Sequence, residues 1–475
     1  MRPSKRTLFS LFLLLFYVVF TITAVFYHEP WRDELQAWLI ARELSIPDLF
    51  HQMRYEGHFA LWSLLLYPFA HYGAELYWMG LLSCAFMIGA AYLLLFRSPF
   101  RLWTKVCLLF SFPMLYYFPV VSRPYALIPI LLFGLAILYR KIQSAQSVNT
   151  CHHYAYCILL GLLAHTHAYM EGMVGALFLF YLYDYVWPCR KEWRAYLPAS
   201  LPPLFVLGAY AQVAPAFSLN LGATRNFFTL DRTIDELTQT LSPQEPIIPG
   251  IITGIVCFGL LVAFLIHYSK GFNPRVLLLL ICGIGWQIYF STTIYGIGLQ
   301  RAYLGFFMLI FAFWILSRRN WLLDITLIVL SLLSLQRLPE IVKDFTGPYT
   351  PAKEIAEELT KRVAQDSLPI YTDNMTKVIA AYAPSLQLRS LREGTLQPLY
   401  TPHTLYRNEP FETRVDSTPH GAIYYVRTHI GIDRFLKKTE SLKDQYQVTQ
   451  LIPRKDAPPY IRELFYLYRI CKVAQ

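Results

Sequence analysis

The sequence predicts an α-helical polytopic membrane protein of about eleven transmembrane helices with a small C-terminal extracytoplasmic α/β domain. Three observations carry that expectation. Of 475 residues, 55% are hydrophobic and only 15% are charged, with a mean hydropathy of +0.36. A water-soluble domain of this size needs more polar surface to stay dispersed. The apolar residues are also gathered into long runs separated by short polar loops as far as residue 336. From Arg337 onward, by contrast, charges recur every few residues and no run is long enough to span. The chain therefore divides into a transmembrane domain, 1–336, and a soluble domain, 337–475.

Crossing a hydrocarbon core about 30 Å thick takes roughly 20 apolar residues. Runs of about that length lie near 8–27, 74–96, 103–121, 124–139, 154–170, 172–187, 196–215, 248–268, 275–293, 302–317 and 321–336. The first follows Arg2, Lys5 and Arg6 as a signal peptide would, but it lacks a small-x-small cleavage site and is long enough to be a retained helix. The apolar stretch His58–His71 is too short to span and reads as a re-entrant or interfacial helix. Alternate loops are basic: Arg2/Lys5/Arg6, Arg97/Arg101/Lys105, Arg140/Lys141, Arg190/Lys191/Arg194, Lys270/Arg275 and Arg318/Arg319. Short basic loops face the cytoplasm. The segments Tyr27–Glu75, Val121–Arg123, His165–Gly172, Phe217–Pro249 and Thr292–Tyr303 then lie outside, and an odd number of spans places the soluble tail with them.

The net charge of +11 comes from these loop clusters, so it reads as a topology signal and not as a nucleic-acid surface. Eight cysteines without paired spacing are expected to be free thiols. In the tail, Pro351–Val363 has helical spacing, whereas Leu368–Tyr371 and Ala422–Val426 have the composition of strands.

Chemistry concentrates on the outer side. Directly after the first run comes His28-Glu29-Pro30-Trp31-Arg32-Asp33-Glu34, and Leu35, Trp38, Leu39 and Arg42 then recur at helical spacing. This predicts a short helix with both carboxylates in its first turn, where the helix dipole favours them. A solvated helix start with an aromatic belt would show the same pattern. Further ionisable groups stand at outer edges: Tyr55-Glu56-Gly57-His58, Ser122-Arg123-Pro124-Tyr125, His165-Thr166-His167 and Gln300-Arg301. An ionisable residue at a span edge is costly, and several of both signs on one side suggest a shared cavity. Such a cavity suits glycosyl transfer from a lipid phosphate. A carboxylate takes the acceptor proton, and fixed cations stabilise charge growing on the departing phosphate, for which an arginine fork is well shaped.

These motifs resemble the GT-C superfamily of polyprenyl-phosphate-sugar-dependent glycosyltransferases, in the branch of the protein O-mannosyltransferases and the aminoarabinose transferase of lipid A. The Asp33-Glu34 pair, the segment His58–Pro68, Ser122-Arg123-Pro124-Tyr125 and His165-Thr166-His167 carry the match, in order, over about the first 170 residues, with Arg301 as a looser element. The resemblance implies an inverting transferase of the cell envelope; the basic loops and the absence of eukaryotic sorting signals favour a bacterial inner membrane, with the N-terminus cytoplasmic. The resemblance also implies Asp33 as general base or acceptor-orienting carboxylate with Glu34 beside it. Arg123, Tyr125 and Arg301 would hold the phosphate of a polyprenyl-phosphate-linked sugar donor. Glu56, His58, His165 and His167 would line the site toward an acceptor the sequence does not identify. Many relatives carry a Pro-Pro pair where this chain has His58-Phe59-Ala60.

No cofactor is implied. His58, His165, His167 and the carboxylates are the residues that would hold a divalent metal. Histidines at i, i+2 at a helix end point apart, so hydrogen-bonded structural histidines are expected instead. Two other functions fit the same composition. A transporter or flippase would bind an anionic or lipid-linked substrate in an acid–base cavity, although no internal repeat is visible here. A polysaccharide polymerase or ligase would place its key residues in a late outer loop such as Phe217–Pro249, with Arg225, Asp231, Arg232, Asp235 and Glu236.

Overall fold

The computed structural model describes residues 4–56, 58–144, 150–224, 229–243, 246–269, 274–294, 296–316, 321–347, 350–373, 375–396, 411–428, 432–452 and 465–473. Arg225, Lys270, Arg318 and Arg319 lie outside them. The chain forms two units, one of residues 1–25, 57–62 and 80–341, the other of 26–56, 63–79 and 342–475.

In the first unit, helix occupies the apolar runs. The run read as ending at 215 continues as helix to Thr224. Among the described residues of the chain, five helices are long and apolar enough to cross a membrane: Lys5–Tyr27, Tyr77–Arg97, Pro124–Gln143, Pro274–Thr293 and Trp321–Thr346. Leu61–Ala70, Thr150–Ala164, Gly250–Leu260 and Leu299–Ile315 are apolar but shorter. The burial of Lys5–Tyr27 is the reverse of a water-soluble helix. Ser10, Leu13, Tyr17, Thr21 and Ala24 form its inward stripe, while Phe12 and Leu15 are 62% and 63% exposed. An apolar outer face with a mixed inner stripe is what lipid contact selects. At the centre of the unit, Leu304–Ile315 is buried all round through Phe307, Met308, Phe311, Phe313 and Trp314.

The run 103–121 is not one regular helix. Leu102–Leu109 gives way to a π-helical stretch at Pro113–Tyr117 and a final short turn at Phe118–Val120. Pro113 and Pro119 each remove a backbone donor, and side chains from elsewhere meet the backbone groups left over. Tyr17 donates its hydroxyl to the Met114 carbonyl at 2.7 Å, and the Phe112 N–H donates to Ser334 Oγ at 3.1 Å. Cys84 Sγ lies 3.4 Å from the Pro119 carbonyl. This irregular passage delivers the chain to Ser122-Arg123.

The second unit is built on a five-stranded sheet of order β2-β1-β3-β5-β4. Its strands are β1 Ile370–Thr372, β2 Leu388–Ser390, β3 Ala422–Thr428, β4 Tyr446–Ile452 and β5 Phe465–Lys472. β1 pairs parallel with β2 and β3, while β5 is antiparallel to β3 and β4. β3 is buried at every residue, as a central strand covered on both faces requires. Phe411, Tyr425, Phe435, Tyr446 and Tyr468 form the core on one face, with Phe435 in edge or tilted contact with Phe411, Tyr425 and Tyr468. The helix expected from Pro351 runs from Ala352 to Asp366, and the strands expected at 368–371 and 422–426 are β1 and β3.

The Arg32–Glu43 helix belongs to this same unit and packs against the Met375–Ala381 turn that follows β1. Arg42 donates to the Ala380 carbonyl at 3.1 Å and Tyr382 to the Pro30 carbonyl at 2.9 Å. The tail domain thus grips both ends of the helix that carries Asp33. Phe411→Ala, which empties a ring position in the sheet core, is expected to cost about 3–5 kcal/mol. Thermal unfolding of the purified full chain, followed by proteolysis of the tail, checks it.

Candidate functional site

Arg123 is placed by the residue after it. A residue before proline is pushed to extended backbone, and Arg123 has φ −134° and ψ 163°. Pro124 then opens a short 3₁₀ turn, Pro124–Ala126, which leads into the Leu127–Ser144 helix. The Arg123 side chain is buried, and its Nη2 donates to His58 Nε2 at 2.8 Å. Burial, followed by the guanidinium of Arg123, holds the His58 pKa well below the usual histidine value. A neutral imidazole that accepts at Nε2 carries its proton on Nδ1. Arg123 also stands 5.9 Å from the Tyr125 ring centroid, a cation–π distance.

Arg301 reaches the same tyrosine, donating from Nε to Tyr125 Oη at 3.1 Å and from Nη1 to the Gly296 carbonyl. His167 packs against both Tyr125 and His58, with ring centroids 5.3 and 5.2 Å away. Its Nδ1 accepts the Tyr169 N–H at 3.1 Å, which leaves the proton on Nε2. That Nε2 is buried without a hydrogen-bond partner among the described residues. Arg123, Arg301, His58 and His167 are therefore gathered round Tyr125, with cationic and N–H donors held in place before any ligand arrives. Donors of this kind have the chemistry that suits an anion. His165 does not join them, because its Nε2 is bonded to the Phe205 carbonyl at 2.7 Å. Among the described residues, no three His, Cys, Asp or Glu side chains are grouped to hold a metal ion.

The second unit holds the carboxylates. Asp33 and Glu34 lie in the first turn of the Arg32–Glu43 helix, as the spacing predicts. They point different ways. Asp33 is partly exposed and accepts from Arg32 Nε at 3.2 Å. Glu34 is fully buried, and its Oε2 accepts the Trp31 N–H at 3.1 Å and sits 3.0 Å from His28 Nε2. The other nitrogen of His28 lies 3.0 Å from Asp344 Oδ2, so one buried imidazole bridges two buried carboxylates. Burial alone would lower the His28 pKa, but Asp344 and Glu34 outweigh it and raise the value to about 10. Glu56 is held as well, its Oε1 accepting from Gln36 at 2.9 Å and Gln52 at 2.6 Å. His28 was visible only as part of a polar loop. Asp344 carried no signal, since it follows His28 by 316 residues and nothing local marks the pairing.

No protein-family model matches the sequence, and no curated protein matches it either. Among solved structures, ArnT from Cupriavidus metallidurans bound to undecaprenyl phosphate matches with a TM-score of 0.51 and 12% identity, over 96% of this chain and 97% of that one. The same protein in the apo state matches at 0.40 with 11% identity, over 98% of each chain. At such identity the undecaprenyl-phosphate-bound match is one of fold alone: this chain shares the fold of that ArnT structure. With its apolar helices, the chain is an integral membrane protein.

The His28 bridge makes stability depend on pH. An unfolded histidine titrates near 6.5, and the folded value is about 10. A raised pKa stabilises fully below the unfolded value and loses that contribution as pH rises through the folded one. The wild-type chain is therefore expected to lose thermal stability progressively from about pH 6.5 to about pH 10. His28→Gln should start less stable at pH 6 and lack this slope; a denaturation series across that range measures both.

Proposed function

We propose that this chain is an inverting glycosyltransferase that moves a sugar from a polyprenyl-phosphate donor to an acceptor outside the cytoplasm. The gathering of Arg123, Arg301, His58 and His167 round Tyr125 carries this reading. The fold shared with ArnT, whose structure is bound to undecaprenyl phosphate, supports it.

In the proposed reaction, Asp33 takes the proton of the acceptor's nucleophile. The nucleophile attacks the anomeric carbon on the face opposite the phosphate, and the bond from that carbon to the phosphate oxygen breaks. The electron pair leaves on the polyprenyl phosphate, where Arg123 and Arg301 stabilise the growing charge. Tyr125 keeps the two guanidiniums apart and oriented. Glu34 acts beside the base by fixing the helical turn from which Asp33 projects, and Glu56, His58 and His167 complete the surroundings of the reacting groups, while His165 is held at the Phe205 carbonyl. The topology that goes with this reading has about eleven spans, the N-terminus in the cytoplasm of a bacterial inner membrane and 337–475 outside it.

Deleting the gene and restoring it as wild type or Asp33→Asn, with mass spectrometry of membrane lipids, tests the reading without a guess at the sugar. A lipid-linked sugar should accumulate in the deletion and with Asp33→Asn but not with wild type. If Asp33→Asn at normal protein level behaves as wild type while the deletion has a phenotype, Asp33 is not the base and transport becomes the better reading. Arg123→Lys keeps the charge but loses the planar fork, so undecaprenyl phosphate should bind on the order of 10-fold more weakly; titration of the purified variant measures this.

A further inference from the structure

The helix Leu230–Gln239 stands in the loop that the sequence marks by its charges. Leu230 and Ile234 are on its surface, whereas Thr233 is buried and shares a hydrogen bond with Ser291 Oγ at 3.1 Å. Its C-terminal end is fixed with unusual thoroughness. A helix end leaves its last carbonyls unbonded, and three side chains from distant positions meet carbonyls at the end of this helix and just beyond it. Arg337 donates to the Gln239 carbonyl from Nε at 3.1 Å and from Nη2 at 2.6 Å. Tyr303 donates to the Thr240 carbonyl at 2.9 Å, and the Gln336 amide to that of Leu241. Arg337 is itself buried and paired with Glu340. A buried guanidinium at a helix C-terminus also complements the dipole.

What this anchoring positions is Glu236. The helix packs on the Leu299–Ala302 turn, which carries Arg301, and on Trp286–Thr293. Glu236 follows the buried Thr233 by three residues and so shares its inward face. It is half-buried and makes no hydrogen bond or ion pair with any described residue. Burial raises its pKa, against the pull of Arg232, Arg337 and Arg301, with Asp235 adding to the rise. An ordinary solvated helix would leave such a carboxylate on its outer side, and would not need a buried arginine to hold its end.

We propose that Glu236 is a sugar-binding residue, its carboxyl group hydrogen-bonded to ring hydroxyls of the glycosyl unit whose phosphate Arg301 holds. This rests on the transferase reading. A carboxylate repels phosphate and cannot be part of the anion site. The group attached to a phosphate on Arg301 is the sugar, however, and adjacent hydroxyls are good donors to a carboxylate. A site built to bond hydroxyls discriminates strongly among sugars, so Glu236 is a specificity residue for the donor.

The test uses the full chain purified in mild detergent with Asp33→Asn to halt turnover, and mass spectrometry of the polyprenyl phosphates that co-purify from the cell's own membrane. Adding Glu236→Gln should lower the ratio of glycosylated to bare polyprenyl phosphate about tenfold, the scale of one charge-assisted hydrogen bond, with bare-lipid occupancy unchanged. Asp235→Asn, on the exposed side of the same helix, should leave the ratio alone. An unchanged ratio with Glu236→Gln overturns the proposal, as does equal loss of both lipids in a variant of unaltered melting temperature. If neither lipid accompanies the Asp33→Asn protein, the transferase reading falls and this proposal falls with it.

Discussion

Between Leu109 and Leu127 the chain abandons regular helix inside apolar surroundings, and the backbone groups released there find no water to bond. Hydrocarbon allows such a break only where protein groups satisfy it. Tyr17 and Ser334 do so for Met114 and Phe112. Pro124 then holds Arg123 in extended backbone. The arginine, the tyrosine two residues on and the turn into the next helix all depend on this passage. A straight helix through 103–139 would turn Arg123 and Tyr125 away from one another, because residues two apart do not share a face.

A guanidinium cannot shed its charge, so burying one commits its surroundings. Around Arg123 the commitment is met by a neutral histidine and an aromatic face, and around Arg337 by Glu340 and a helix end. The two solutions differ in consequence. Arg337 is consumed by the structure it supports. Arg123 and Arg301 instead converge on Tyr125, in contacts with a histidine, a phenol and a backbone carbonyl.

In the second unit, Glu34 and Asp344 meet across one imidazole that is protonated throughout the physiological range. Buried ion pairs add little net stability over apolar packing, yet removing one partner costs about 3–5 kcal/mol. Their use here is geometric. Glu34 is spent on His28 and the Trp31 N–H, which turns its neighbour Asp33 to the side where solvent reaches it. Adjacent carboxylates with the same charge thus receive different tasks from their surroundings.

Much of this architecture was determined by the sequence alone. Hydropathy located the apolar helices, because a hydrocarbon solvent imposes length and composition directly. Helical spacing after Asp33-Glu34 located their helix, and the composition of 422–426 located the central strand, because both are set by neighbours within a few residues. The breaks at Pro113 and Pro119 were less legible, since proline marks where a helix is disturbed but not how it recovers. Tertiary structure alone decided which polar groups meet. Asp344 comes to His28 from 316 residues away, and Arg301 reaches Tyr125 across 176 residues. His167 turns toward Tyr125 while His165 turns to Phe205. Local pattern records the face a residue occupies; the partner across that face is fixed by packing, which no run of neighbouring residues encodes.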